Sequence, residues 1–224
     1  SSLPDDLNLV IWSYPADDQP TFEFFDFWRP ASWAFLVFHS SGGNTTVHGD
    51  VHRIMGRTYR VLCEQRADKL VGYGIYNEAN DYAPFFGDLV LHLAWDPFID
   101  LDSFTRDYCE RRYEPGSVQT MIRVHEKLLK TVYGTQSDHA ITGGFRTVRL
   151  NDPVYWFQIG GMWVPFDELQ RRRVEMRRHW PRILLDALET ALEVAEEERD
   201  NKAYVRDLVD IMRSVIHVGM DQSV

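Results

Sequence analysis

Three short apolar runs, each followed by a loop and the second and third then by a helical stretch, constrain this chain more than any other feature. Leu7-Asn8-Leu9-Val10-Ile11-Trp12-Ser13 ends at a Tyr14-Pro15 turn, and Ala34-Phe35-Leu36-Val37-Phe38 runs into Ser40-Ser41-Gly42-Gly43-Asn44. Lys69-Leu70-Val71-Gly72-Tyr73-Gly74-Ile75-Tyr76 then feeds Asn77-Glu78-Ala79-Asn80. Apolar runs of this length bounded by turn residues read as strands. Between them, residues 47–66 read as a helix with Val51, Ile54, Met55, Val61 and Leu62 on its apolar face, and a second helix is expected from near Asp81 to about Trp95. Strands this apolar, alternating with helices, predict an α/β fold with a parallel sheet buried on both faces. Three strands cannot close an eight-stranded barrel, so if these belong to one, other strands must come from elsewhere.

Past Trp95-Asp96-Pro97 the pattern turns helical. Leu101, Phe104 and Tyr108 form one stripe, and Val118, Met121, Ile122, Leu128 and Leu129 the next. Residues 135–153 are rich in Gly and Thr without period and read as a loop. Helices are expected again from about Pro165, with Ile183, Leu184, Ala187, Leu188, Ala191 and Leu192 as a core stripe that Pro181 should kink or break. A last amphipathic helix uses Tyr204, Val205, Leu208, Val209, Met212 and Ile216. The expected organisation is a barrel-type region over residues 1–97 and an all-α domain over 98–224.

Charge and composition exclude several function classes. A formal charge of −10 over 224 residues is wrong for a nucleic-acid partner, whose phosphates must be neutralised by Lys and Arg. The run Arg171-Arg172-Arg173 with Arg177-Arg178 is interrupted by Glu175 and preceded by Glu168, the pattern of a solvated helix face. No apolar run reaches the ~18 residues a membrane span needs. Cys63 and Cys109 each fall inside an expected helix and are too few for a disulfide scaffold. The start, Ser1-Ser2-Leu3-Pro4, carries no signal-peptide pattern and reads as an internal point of a longer polypeptide; no compartment follows from it.

The chemistry-bearing positions cluster at the strand ends. Glu78 directly follows the third strand and precedes a helix, where a carboxylate suits catalysis at a barrel mouth. The same position suits a carboxylate that merely favours a helix dipole. Gly42, Gly43 and Asn44 offer close backbone approach and an amide for sugar hydroxyls, or a plain turn. His48 and His52 have a zinc-compatible spacing on the expected helix, but no third ligand and no metalloprotease Glu accompany them, so no metal is expected. Trp12, Trp28 and Trp33 lie at or near strand ends, and Trp12, continuing into a loop, is the preferred stacking platform for a carbohydrate. No Gly-x-Ser-x-Gly elbow or phosphate loop is present.

Residues 33–134 resemble the catalytic region of glycoside hydrolase family 89, the α-N-acetylglucosaminidases. The resemblance rests on Trp33 to Phe38 followed by His39, on Gly42-Gly43-Asn44 and His48-Gly49, and on Leu70-Val71-Gly72-Tyr73-Gly74-Ile75 with Glu78. It continues through Leu93-Ala94-Trp95-Asp96-Pro97, Leu101-Asp102-Ser103-Phe104, Arg111-Arg112-Tyr113 and Val132-Tyr133-Gly134. Ser40-Ser41, Asn77 and Ala79 depart from the family's usual residues. The resemblance implies the C-terminal part of a (β/α)8 TIM-like barrel followed by a helical domain. It implies a retaining, exo-acting glycosidase for α-linked sugars, with Glu78 as nucleophile and His39, Gly42, Gly43, Asn44, His48 and Asn77 around the sugar. The general acid would come from an upstream segment or second chain that completes the barrel; Glu23 and Asp26, set among aromatics, are the nearby acidic alternatives here. Cleavage by two carboxylates requires no metal or organic cofactor. The rival reading is a non-catalytic carbohydrate-binding fragment or subunit that lacks the acid.

Overall fold

The computed structural model describes residues 9–13, 21–39, 47–64, 67–77, 83–134, 156–159, 162–165 and 178–221, with backbone alone at 77, 156–159, 162–165, 217, 220 and 221. Strands β1 (Val10–Ser13), β2 (Ser32–His39) and β3 (Leu70–Asn77) form a parallel sheet in the order β1-β2-β3. Parallel neighbours need crossovers. Helix α1 (Thr21–Phe24) and a 3-10 turn (Asp26–Trp28) supply the first, and α2 (Val51–Cys63) the second. Helix α3 (Pro84–Leu93) follows β3.

The pleat divides the sheet into two unlike faces. Register pairs Phe35 with Tyr73, Val37 with Ile75 and His39 with Asn77, so these residues share one side. On that side Trp33, Phe35, Val37 and His39 are buried beneath the helices. Phe22 stacks on Trp33, Phe35 stacks on Tyr73, and the Tyr73 hydroxyl lies 2.6 Å from Thr58 Oγ1 of α2. The opposite side carries Trp12, Ala34, Leu36, Phe38, Gly72, Gly74 and Tyr76, and no helix among the described residues covers it. Burial on both faces was expected; one face is covered, because successive crossovers of one hand put their helices on one side of the sheet.

Local chemistry sets the helix limits. Helix α2 starts at Val51 rather than Val47, because the Asp50 carboxylate caps it by accepting from Arg53 N at 2.9 Å. Gly49 just before it has φ +153°, outside helical space. Helix α3 begins at Pro84, whose ring suits a first helical position.

The second region is built from α4 (Leu101–Arg112), α5 (Val118–Leu129), α6 (Trp180–Leu192) and α7 (Lys202–Asp221). Pro181 does not break α6; it sits in the helix's first turn, where a missing N–H costs nothing. The stripe expected on α7 divides: Tyr204 is buried with Ile211 and Val218, whereas Val205, Val209, Met212 and Ile216 point outward. An antiparallel pair, β4 (Trp156–Ile159) and β5 (Met162–Pro165), stands where no strands were expected. The separation of two residues between them is the hairpin signal that the search for helical periodicity passed over. Cys63 and Cys109 are both free thiols within helices. The run Arg171 to Arg173 lies outside the described residues.

The two regions share one core. Phe85 of α3 meets the rings of Phe104, Tyr108, His125 and Tyr133 at centroid distances of 4.8–5.3 Å. Backbone bonds cross the same seam, from Gly49 N to Val132 O and from Val51 N to Tyr133 O.

Candidate active site at the strand ends

A parallel sheet directs its strands' C-terminal ends to one edge; here His39 and Asn77 pair at that edge, whereas β1 ends at Ser13, level with Phe35. The exposed face behind it is lined by small residues flanked by rings. A Cβ added at Gly72 would stand 3.2 Å from Ala34 Cβ, and one at Gly74 would stand 3.5 Å from Leu36 Cδ2. The missing side chains therefore keep the centre of this face low, with Trp12 level with Ala34 and the Phe38–Tyr76 stack, 5.7 Å between centroids, nearer the strand ends. Trp12 is 68% exposed, in keeping with a platform for a flat apolar ligand face. Trp33, by contrast, is wholly buried at the start of β2, away from the strand's C-terminal end, and Trp28 stacks on Phe25.

His39 and His48 come together, though not on a surface. Their exposures are 1% and 6%, and their rings lie 4.1 Å apart between centroids. His39 also packs on Phe86 of α3 at 4.8 Å. Gly49 is required beside them: its positive φ disfavours a side chain, and an added Cβ would stand 2.4 Å from the Phe86 ring. This is the packing layer directly beneath the strand ends. His48 precedes the capping Asp50, and His52 is exposed on α2, so the pair does not share a helix face as its spacing suggested. No group of three or more metal-ligating side chains occurs among the described residues.

Glu78, Gly42, Gly43 and Asn44 lie outside the described residues, and Asn77 is described by backbone alone. Glu78 follows the last residue of β3 directly and has the same sequence parity as Gly72, Gly74 and Tyr76. Of the alternative acids, Glu23 stands 3.6 Å from an Arg57 nitrogen and 3.3 Å from one of Arg60, a cationic setting rather than an apolar one. Asp26 is exposed in the 3-10 turn. Tyr76 is the site candidate that sequence reasoning missed; its parity with Glu78, two residues on, was the available signal.

Beside β3 a cleft of about 720 Å³ is lined by Ile75 and Tyr76, by Gly87 and Leu91 of α3, and by Arg111 of α4. Arg111 is bound to Asp88 at 2.8 Å and Asp107 at 3.3 Å, so its charge is already matched.

A parallel three-stranded sheet with helical crossovers, joined to the helices α4 to α7, defines the class: an α/β region with a helical partner. Residues 1–97 match the family model of the α-N-acetylglucosaminidase (NAGLU) TIM-barrel domain, and residues 104–224 match that of the α-N-acetylglucosaminidase (NAGLU) C-terminal domain. The chain belongs to the α-N-acetylglucosaminidase family, a family of glycoside hydrolases acting on N-acetylglucosaminides. A search of curated proteins returns no significant match. Among the described residues no helix is long and apolar enough to cross a membrane.

Proposed function

We propose that this chain carries the nucleophile half of a retaining, exo-acting α-N-acetylglucosaminidase site, with Glu78 as the nucleophile. What supports the reading is that Glu78 directly follows in sequence Asn77, the last residue of β3, within the region that matches the family's barrel domain. In this mechanism the Glu78 carboxylate attacks the anomeric carbon while a second carboxylic acid protonates the departing oxygen. Water then hydrolyses the glycosyl-enzyme with the second group acting as base, and the two carboxyls stand about 5–5.5 Å apart. Trp12 and Tyr76 offer ring faces to the sugar, while Gly42, Gly43, Asn44 and Asn77 supply the polar contacts. His39 and His48 act from beneath, as the packed support of the strand ends.

The division into a barrel region at 1–97 and a helical domain at 98–224 belongs to the same reading. So does a further segment or second chain that completes the barrel. Among the described residues both edges of sheet β1-β2-β3 are unpaired, and a closed barrel of this type needs eight strands. The apolar face with Trp12 and Tyr76, and the cleft along β3, are where the added strands would face or pair. That segment would supply the general acid.

The test is Glu78→Gln in the completed assembly, assayed with a chromogenic α-N-acetylglucosaminide. Turnover should fall at least about a thousandfold, roughly 4 kcal/mol of transition-state stabilisation, with the fold unchanged. The wild-type product should appear first as the α-anomer by NMR. Near-normal turnover in the folded variant sinks the assignment of Glu78, and initial release of the β-anomer sinks retention.

A further inference from the structure

Where α4, α5 and α7 meet behind α3, the proton inventory of the buried groups is fixed by their contacts. Tyr113 has one hydroxyl proton and donates it to Asp207 Oδ2 at 2.8 Å. Its oxygen also lies 3.3 Å from His125 Nε2, so in that contact the tyrosine accepts and Nε2–H donates. Burial pushes the His125 imidazole down to about 4, which keeps the ring neutral. A neutral ring with its proton on Nε2 leaves Nδ1 as a bare acceptor.

Nδ1 of His125 has no hydrogen-bond partner among the described residues, and neither do the Tyr108 hydroxyl and Asp210 Oδ2. Arg206 Nε stands 3.8 Å from Asp210 Oδ2, an ion-pair separation beyond hydrogen-bond reach. All three residues are more than nine-tenths buried: Tyr108 4%, His125 4%, Asp210 6% exposed. They line one cavity of about 20 Å³, whose wall also includes Pro84, Met121 and Ile211. A water molecule needs roughly 10–15 Å³ and two to four polar partners.

We propose that one structural water occupies this cavity, accepting from the Tyr108 hydroxyl and donating to His125 Nδ1 and to Asp210 Oδ2. The count closes with no proton left over. Burial raises the Tyr108 phenol far above its ordinary range, so it remains a donor. One water thereby ties α4, α5 and α7 together at a single point, beside the first turn of the barrel-region helix α3. An apolar guest is excluded, because it would leave three buried polar atoms unpaired.

The test joins crystallography of the native chain, at a resolution that shows ordered water, with ¹⁵N NMR of the His125 ring. The expected result is one density peak within hydrogen-bond distance of all three atoms, and a neutral ring protonated at Nε2. A cavity without density overturns the proposal. So does a rotated Tyr108 that bonds Nδ1 or Asp210 directly, or a ring protonated at Nδ1.

Discussion

The sheet region and the helical region use polar groups in opposite ways. Beneath β1-β2-β3 the covered layer is mostly aromatic and aliphatic, and no helix among the described residues covers the other face, where Trp12 and Tyr76 are exposed. The helical region instead places a charge pair near its centre. Arg112 donates to both carboxylate oxygens of Asp207 at 2.6 and 2.7 Å, lies over the Tyr108 ring at 5.4 Å, and shares Asp207 with Tyr113. Glu198, fully buried, accepts from Glu114 N at 2.7 Å and from the Asn201 amide, closing the turn between α4 and α5 against the α6–α7 connection. The contrast separates two jobs. A sheet face that no described helix covers adds little burial to stability. The neighbouring region, held by directional bonds that permit one arrangement, fixes the shared core around Phe85.

Breaking the central pair should therefore be the most damaging stability change. Asp207→Ala removes the acceptor of both Arg112 and Tyr113 and strands a mostly buried guanidinium. Loss of one partner from a buried pair costs about 3–5 kcal/mol. Urea denaturation should show the midpoint falling accordingly; a loss below about 1 kcal/mol would mean that packing alone orders the helical region.

The same centre should confer a pH dependence. His125 has an ordinary value of 6.5 when unfolded and is pushed down to about 4 in the fold, first by burial and, more weakly, by Arg112, against the pull of Asp207. Between those values the unfolded chain binds a proton that the folded chain does not. Stability is therefore full above about pH 6.5 and declines as pH falls to about 4, by on the order of 3 kcal/mol. Asp210, raised by burial against Arg206 and Arg213, works in the other direction, gaining stability as pH falls through the carboxylate range. Denaturation midpoints of wild type and His125→Gln should converge as pH falls from 7 to 4; parallel curves would remove His125 from the account.

Gly49→Ala probes the seam between the regions. A side chain there meets Phe86 at 2.4 Å and takes a positive φ, so a cost of about 1–3 kcal/mol is expected. The damage should extend to the contacts from Gly49 and Val51 to Val132 and Tyr133, read as faster amide exchange at Gly49 and Val51.

These residues also show what a sequence makes legible. β2 and β3 were readable because short apolar runs between turn residues admit few other structures, and α4 and α5 because their stripes are regular. The position of Glu78 after an apolar strand was visible for the same reason. The faces were less so: alternation says which residues share a side, but whether helices cover that side depends on crossovers spread along the chain. That is how His39 and His48, conspicuous as polar residues near a glycine-rich loop, proved to be packed beneath the edge. The Asp207 centre was invisible because Arg112 and Asp207 are brought together across a separation of 95 residues, and each alone looks like an ordinary surface charge. The two apolar sides of α7 read as one, since periodicity reports hydrophobicity without saying which side finds the core.

The smallest stability effect is expected at Trp12, and it tests the open face most directly. Trp12 lies on β1 beside Ala34, on the side where Gly72 and Gly74 keep the surface low. With 68% of its surface exposed, it contributes little burial, so Trp12→Ala should stay within about 0.5 kcal/mol of wild type in denaturation. A ring that stacks on a sugar should nonetheless be missed by the ligand. Aromatic contacts contribute about 0.5–1.5 kcal/mol, a roughly two- to tenfold weakening of a competitive sugar inhibitor in the completed assembly. The two readouts separate the uses the face could have. Weakened inhibitor binding with unchanged stability marks Trp12 as part of the sugar platform. A stability loss of several kcal/mol with unchanged affinity would mean that added strands bury Trp12 as core, and the sugar platform would then rest on Tyr76 alone.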